Sequence, residues 1–156
     1  MTEPNEKIRA ILDAGLDLLA EKYDTDNARR MLVAIAMQES NFWHRRQIKG
    51  PARGLWQFEL TGGVWGVMNF RTTSNAAREV CELTDTEFES KAVYRALEHS
   101  DALACAFARL LLWTDPKPLP DSEEQAWLYY SRIWRPGKPH PGRWGSCWNR
   151  AIEIYP

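Results

Sequence analysis

Residues 101–113, DALACAFARLLLW, constrain this chain more than any other stretch. Leu103, Ala104, Phe107, Ala108, Leu110, Leu111 and Leu112 leave little polar face on a helix, and Ser100 stands where an N-cap belongs. A helix that is apolar on most sides must be enclosed by others, so a mainly α-helical domain with this segment at its centre is expected. The 156 residues suit one domain spanning 1–156 and are enough to bury a real core. Arg109 interrupts the run, which falls short of membrane-spanning length, so no integral membrane segment is expected.

The remaining periodicity supplies the enclosing helices. Ile8, Ile11, Leu12, Leu16, Leu19 and Tyr23 recur at three- and four-residue steps and predict a first helix over about 5–22. Asp24-Thr25-Asp26-Asn27 breaks it and offers caps for a second, about 28–39. Ser74 is a candidate cap for 75–83, Thr86 with Glu89 makes a capping-box pattern before 87–98, and Asp121 with Glu124 repeats it before 122–134. Trp144–Tyr155 closes the chain as a short helix. Between Gly50 and Phe70 the pattern changes: Leu55–Phe58 and Val64–Val67 flank Gly62-Gly63, which reads as a small β-hairpin or an irregular lobe.

The chemistry is concentrated in residues 31–59, MLVAIAMQESNFWHRRQIKGPARGLWQFE. An apolar helix delivers Glu39 and Ser40 at its C-terminal end, towards Phe42 and Trp43. A carboxyl placed there is partly desolvated, which raises its pKa and suits it to general-acid work near neutral pH. The plainer alternative is a solvated glutamate at a helix end. Glu39-Ser40 followed by Gly54-Leu55-Trp56-Gln57 resembles the Glu-Ser … Gly-Leu-Met-Gln signature of soluble lytic transglycosylases and goose-type lysozyme-like domains. With GPARGLWQFE and the later WTDPKPLP, the chain looks most like small lysozyme-like proteins of tailed bacteriophages.

That resemblance implies a lysozyme-like fold and cleavage of the β-1,4 bond between N-acetylmuramic acid and N-acetylglucosamine in bacterial peptidoglycan, without a cofactor. Glu39 would be the acid. It would act alone, turning base to help the muramyl 6-hydroxyl form a 1,6-anhydro sugar, or with Glu59 in hydrolysis. Inversion by water needs the second carboxylate about 6.5–9.5 Å away, and Glu59 is the only acidic residue in the lobe. Gln57 matches a glutamine that lines the family's cleft, and its amide suits sugar hydroxyl and acetamido groups. Ser40 is a candidate to orient the acid or contact substrate, or it makes a helix-end hydrogen bond to backbone. Trp56, where the family has Met, offers either a sugar-stacking face or core packing. The family's late-helix Tyr-Asn pair, whose Tyr hydroxyl reaches the glutamate, is met here by Tyr130-Ser131, with Ser in place of Asn.

Other classes are disfavoured. The formal net charge of −1 lacks the cationic excess of a nucleic-acid-coating protein, and Arg29-Arg30 reads as a solvated helix face. His44, His99 and His140 are scattered, so no metal site is expected. Cys81, Cys105 and Cys147 have no paired spacing and read as buried free thiols of a protein folded in a reducing cytoplasm. The N-terminal MTEPNEKIRAILDAG has no basic-then-apolar signal pattern, so release at lysis or carriage in a virion, beside virion proteins, would bring such an enzyme to the periplasmic wall. A wall-binding protein of this kind without turnover is the rival outside catalysis.

Overall fold

The computed structural model describes residues 3–156 and is mainly helical. Its α-helices are α1 (Glu3–Leu16), α2 (Asp26–Ser40), α3 (Trp65–Asn69), α4 (Ser74–Leu83), α5 (Ser90–His99), α6 (Asp101–Trp113), α7 (Glu123–Trp134) and α8 (Pro141–Ile154). α6 occupies the centre, as its composition requires: α1, α2, α3, α4 and α5 all pack on it, and even Arg109 is buried. Ser100 caps it, its hydroxyl accepting from the Leu103 amide at 3.2 Å. α1 crosses α6 closely at Gly15, where a Cβ would lie 2.3 Å from Cys105 Cβ. No larger residue fits there without moving one of the helices.

Several boundaries differ from the periodic reading. α1 ends at Leu16, and the chain turns before a 3-10 segment, Glu21–Tyr23, which still buries Tyr23. Glu89 itself caps α5, its carboxylate accepting from the Ala92 amide at 2.8 Å, so the Thr86 capping box does not form. Ser122, not Asp121, caps α7. Ser74 is the first residue of α4, and the Thr73 hydroxyl before it is drawn off to Val67 O at 2.6 Å. Arg29 and Arg30 are not a solvated face. Arg29 is forked onto Asp24 and reaches Tyr155 Oη, while Arg30 donates to Tyr155 O, so both tie α2 to the chain's end beside α8.

The hairpin expectation is corrected: among the described residues there is no strand between Gly50 and Phe70. Residues 41–59 form an irregular lobe with only isolated bridges, Arg46 to Arg53 and Arg53 to Phe58. Positive φ at Lys49, Gly54 and Gln57 breaks each extended run before a ladder can propagate. Gly62-Gly63 lies inside a π-helical turn, Leu60–Val64, that runs directly into α3. Val64, Val67 and Met68 are buried at helical spacing. Gly54 is required by the lobe: its φ is +80° and an added Cβ would stand 2.9 Å from Leu97 O of α5.

All three cysteines are free and buried. α2 and α8 form the most extensive helix pair, and this pairing positions the end of α2.

Candidate functional site

α2 is built to deliver Glu39. Thr25 Oγ1 accepts from the Ala28 amide at 3.1 Å to start it, and buried Met31, Leu32, Ile35 and Ala36 fix its rotation in the core. It stops where Asn41 and Phe42 both adopt left-handed backbone, φ 56° and 55°, turning the chain away just beyond the glutamate. Gln38, on the adjacent face, donates to His140 O at 2.9 Å and accepts weakly from Cys147 Sγ at 3.5 Å, pinning this last turn to α8.

The Glu39 carboxylate accepts a hydrogen bond from the Tyr130 hydroxyl of α7 at 2.8 Å. Its pKa lies above the ordinary 4.5, chiefly because burial disfavours the anion. The Tyr130 bond and the Arg143 charge pull it down, and the negative charge of Glu59 pushes it up. Tyr130 is itself fully buried and stays protonated, because burial first and then Glu39 raise its pKa. Its ring stacks on Trp144 of α8 at 5.1 Å and 12°, with Trp127 at 5.5 Å and Trp134 at 6.3 Å. An aromatic cage thus fixes the donor, and the acid faces a hydroxyl that can neither ionise near neutral pH nor swing away.

Tyr130→Phe should therefore move the Glu39 titration to higher pH. The cage and the burial remain, while the one hydrogen bond favouring the anion is lost. Carboxyl-detected NMR titration of both proteins reads the shift directly.

The other residues singled out in the sequence are divided between the site and its supports. Ser40 is buried, and its hydroxyl donates to Leu55 O at 2.6 Å or Ala36 O at 3.1 Å. It locks α2 to the following loop, so the backbone-bonding alternative holds, and with no surface for substrate its reading as a contact residue is corrected. For Trp56 the core-packing alternative holds and the sugar-stacking one is corrected: it is fully buried, donates from Nε1 to Leu32 O at 2.9 Å and meets Phe42 edge-on, so no sugar can stack on it. Gln57 sits at φ 54° with its amide nitrogen on Gly54 O at 2.9 Å and His44 O at 3.3 Å, which leaves its side-chain carbonyl free of these bonds. It lines a cavity of about 710 Å³ together with exposed Glu59 and Trp65 and half-buried Trp134. Trp134 joins this wall to the glutamate side, donating to Trp56 O at 3.0 Å and packing on Tyr130.

Residues that sequence reasoning did not single out complete the site. Trp134 and Trp127 flank Tyr130 at positions i+4 and i−3 of one helix, a spacing that was visible in QAWLYYSRIW. Arg143 carried no signal, being a lone arginine in a Pro/Gly loop until α8 turns it towards Glu39. Among the described residues, no cluster of His, Cys, Asp and Glu is disposed to hold a metal ion.

The arrangement can donate a proton at a partly buried position and take it back, while the Gln57 amide and the Glu59 carboxylate line a neighbouring cavity whose wall does not include Glu39. The chain matches no protein-family model, no curated protein and no solved structure.

Proposed function

We propose that the protein is a lysozyme-like glycosidase that cuts peptidoglycan glycan strands as a lytic transglycosylase with Glu39 as its acid and base. The observation that carries this reading is the partly buried Glu39 carboxyl, with raised pKa, held by the Tyr130 hydroxyl. That pairing of a helix-end glutamate with a late-helix tyrosine is what the resemblance of the Glu-Ser … Gly-Leu-Trp-Gln segment implies.

In this mechanism protonated Glu39 gives its proton to the glycosidic oxygen as the C1–O bond breaks, and the N-acetylglucosamine 4-hydroxyl departs. The oxocarbenium-like centre at C1 of the muramyl sugar is electron-poor. Glu39, now a carboxylate, takes the proton of that sugar's own 6-hydroxyl as O6 attacks C1. A 1,6-anhydro sugar forms, water is not consumed, and the acid is restored. Tyr130 steadies the carboxylate between the two steps. Gln57 and Glu59 face the neighbouring cavity as hydrogen-bonding partners for sugar hydroxyls. Trp43 and Trp65, 74 % and 58 % exposed, offer the flat faces that Trp56 does not.

One observation favours a second reading. Glu59 is exposed, and its charge is felt at Glu39, so it is a candidate base for a water in a hydrolytic muramidase. Mass spectrometry of muropeptides released from purified sacculi separates the two. The transglycosylase yields products one water lighter than reducing-end muropeptides, and Glu59→Gln leaves that mass unchanged. Reducing products that disappear in Glu59→Gln mark the hydrolase. Sacculus binding without any release marks a wall-binding protein. Delivery by lysis or within a virion belongs to the same proposal.

A further inference from the structure

At the other end of α2 from Glu39 lies a second cavity, of about 920 Å³. Its wall includes Asp26, which is 13 residues before Glu39 and so about 20 Å away along the helix at 1.5 Å per residue. The volume is that of a small-molecule site. Its most telling wall residue is Arg109 of α6, only 3 % exposed. Nε of Arg109 donates to Tyr23 O at 2.7 Å, and the guanidinium lies 5.4 Å from the centre of the Trp113 ring. Its terminal nitrogens have no hydrogen bond, and the side chain has no ion pair, among the described residues. Burial pushes its pKa down more than the hydroxyls of Tyr129 and Tyr23 and the charge of Asp24, which is itself bonded to Arg29, pull it up.

The rest of the wall deepens this imbalance. Lys22, Arg71 and Lys117 line the same cavity, and none of them forms an ion pair among the described residues. Lys22 Nζ lies 5.3 Å from the Trp113 ring centre, on which Arg109 also sits. Two carboxylates share the wall, and one of them, Asp115, is already committed to Arg132 at 2.9 Å. Phe70, Pro118 and Leu119 supply apolar wall, beside the uncharged polar Thr25, Asn27, Thr72 and Thr114. Burying a cation without a counter-charge is costly, and an anion in the cavity removes that cost.

We infer that this cavity is a second binding site, separate from Glu39, for an anionic group (phosphate or carboxylate) borne on an apolar body. The anion meets Arg109 at the base with Lys22, Arg71 and Lys117 around it, and the apolar body lies against Phe70 and Leu119. The cavity adjoins the one lined by Gln57 and Glu59, sharing Thr114, Asp115 and Pro116 with it, but Glu39 lines neither, and the inference does not depend on the reaction proposed for Glu39.

Phenyl phosphate and benzoate, titrated separately into the full chain at ionic strength matched with sodium chloride, are the probes. The indole N–H resonance of Trp113 is followed by NMR. Saturable single-site binding of either probe is expected, weakened roughly tenfold or more in the Arg71→Ala, Lys117→Ala double variant, since charge-assisted bonds are lost. The tighter probe names the group. Both residues are at the surface, so the variant keeps the fold, and Glu39→Gln should bind the probes as the parent does. Failure of both probes to saturate at tens of millimolar overturns the inference. So does binding that the double variant leaves unchanged.

Discussion

Glu39→Gln is expected to melt above the parent protein at neutral pH while losing its ability to release muropeptides. The two effects share one cause. The Glu39 carboxyl has a folded pKa above its ordinary 4.5, so the folded state holds a proton that the unfolded chain gives up. Between those two values unfolding releases the proton, and stability falls as pH rises, levelling once pH passes the folded value. The stabilising contribution is therefore complete below the ordinary value and lost above the raised one. Glutamine cannot ionise, keeps the shape of the protonated acid and still accepts from the Tyr130 hydroxyl. The contribution of Glu39 to the slope should vanish from the variant's stability profile, leaving it the more stable protein on the alkaline side. Without a proton to give, its rate should fall by about 10²–10⁴, the usual worth of general-acid catalysis. Thermal melts across pH check the first effect and muropeptide release the second.

Trp56→Ala should be the most damaging single change to the fold. The indole is fully buried, bonded to Leu32 O and packed edge-on against Phe42. Large-to-small changes of this kind cost about 3–5 kcal/mol, against total stabilities of about 5–15 kcal/mol. Urea unfolding should therefore show a midpoint far below the parent's, or a chain already partly unfolded in buffer. The same change bears on the earlier expectation of a sugar platform. A platform residue would leave the midpoint intact and weaken glycan binding alone.

How far the chain could be read beforehand depended on what each segment's signal was made of. α6 was legible because a helix with almost no polar face has only one place to go. α2 and its delivery of Glu39 were legible because the apolar period and the capping residues before it agree. Tyr130 was reached through resemblance, not periodicity, since a tyrosine beside another tyrosine on an amphipathic helix gives no sign of which faces an acid. Of the two expectations for the lobe the irregular one holds, and the hairpin fails where glycines stand between apolar pairs. Val64, Val67 and Met68 fit a helical step as well as Val64–Val67 fits a strand, and packing on the core decided for the helix. Trp56 lies within the motif but turns inward, because a loop that bends on positive φ at Gly54 and Gln57 presents alternate residues differently from a strand; Ser40 turns inward as the last residue of α2, bonded back to Ala36 O. Arg109 was seen only as an interruption of an apolar run; its burial against Tyr23 and Trp113 depends on contacts distant in sequence.

The most direct test of the central claim is glycan solubilised from purified sacculi by the parent protein and by Glu39→Gln, side by side at equal concentration of folded protein. Release by the parent and none above background by the variant is the predicted result. Equal release by both, or binding to sacculi with no release by either, would contradict it.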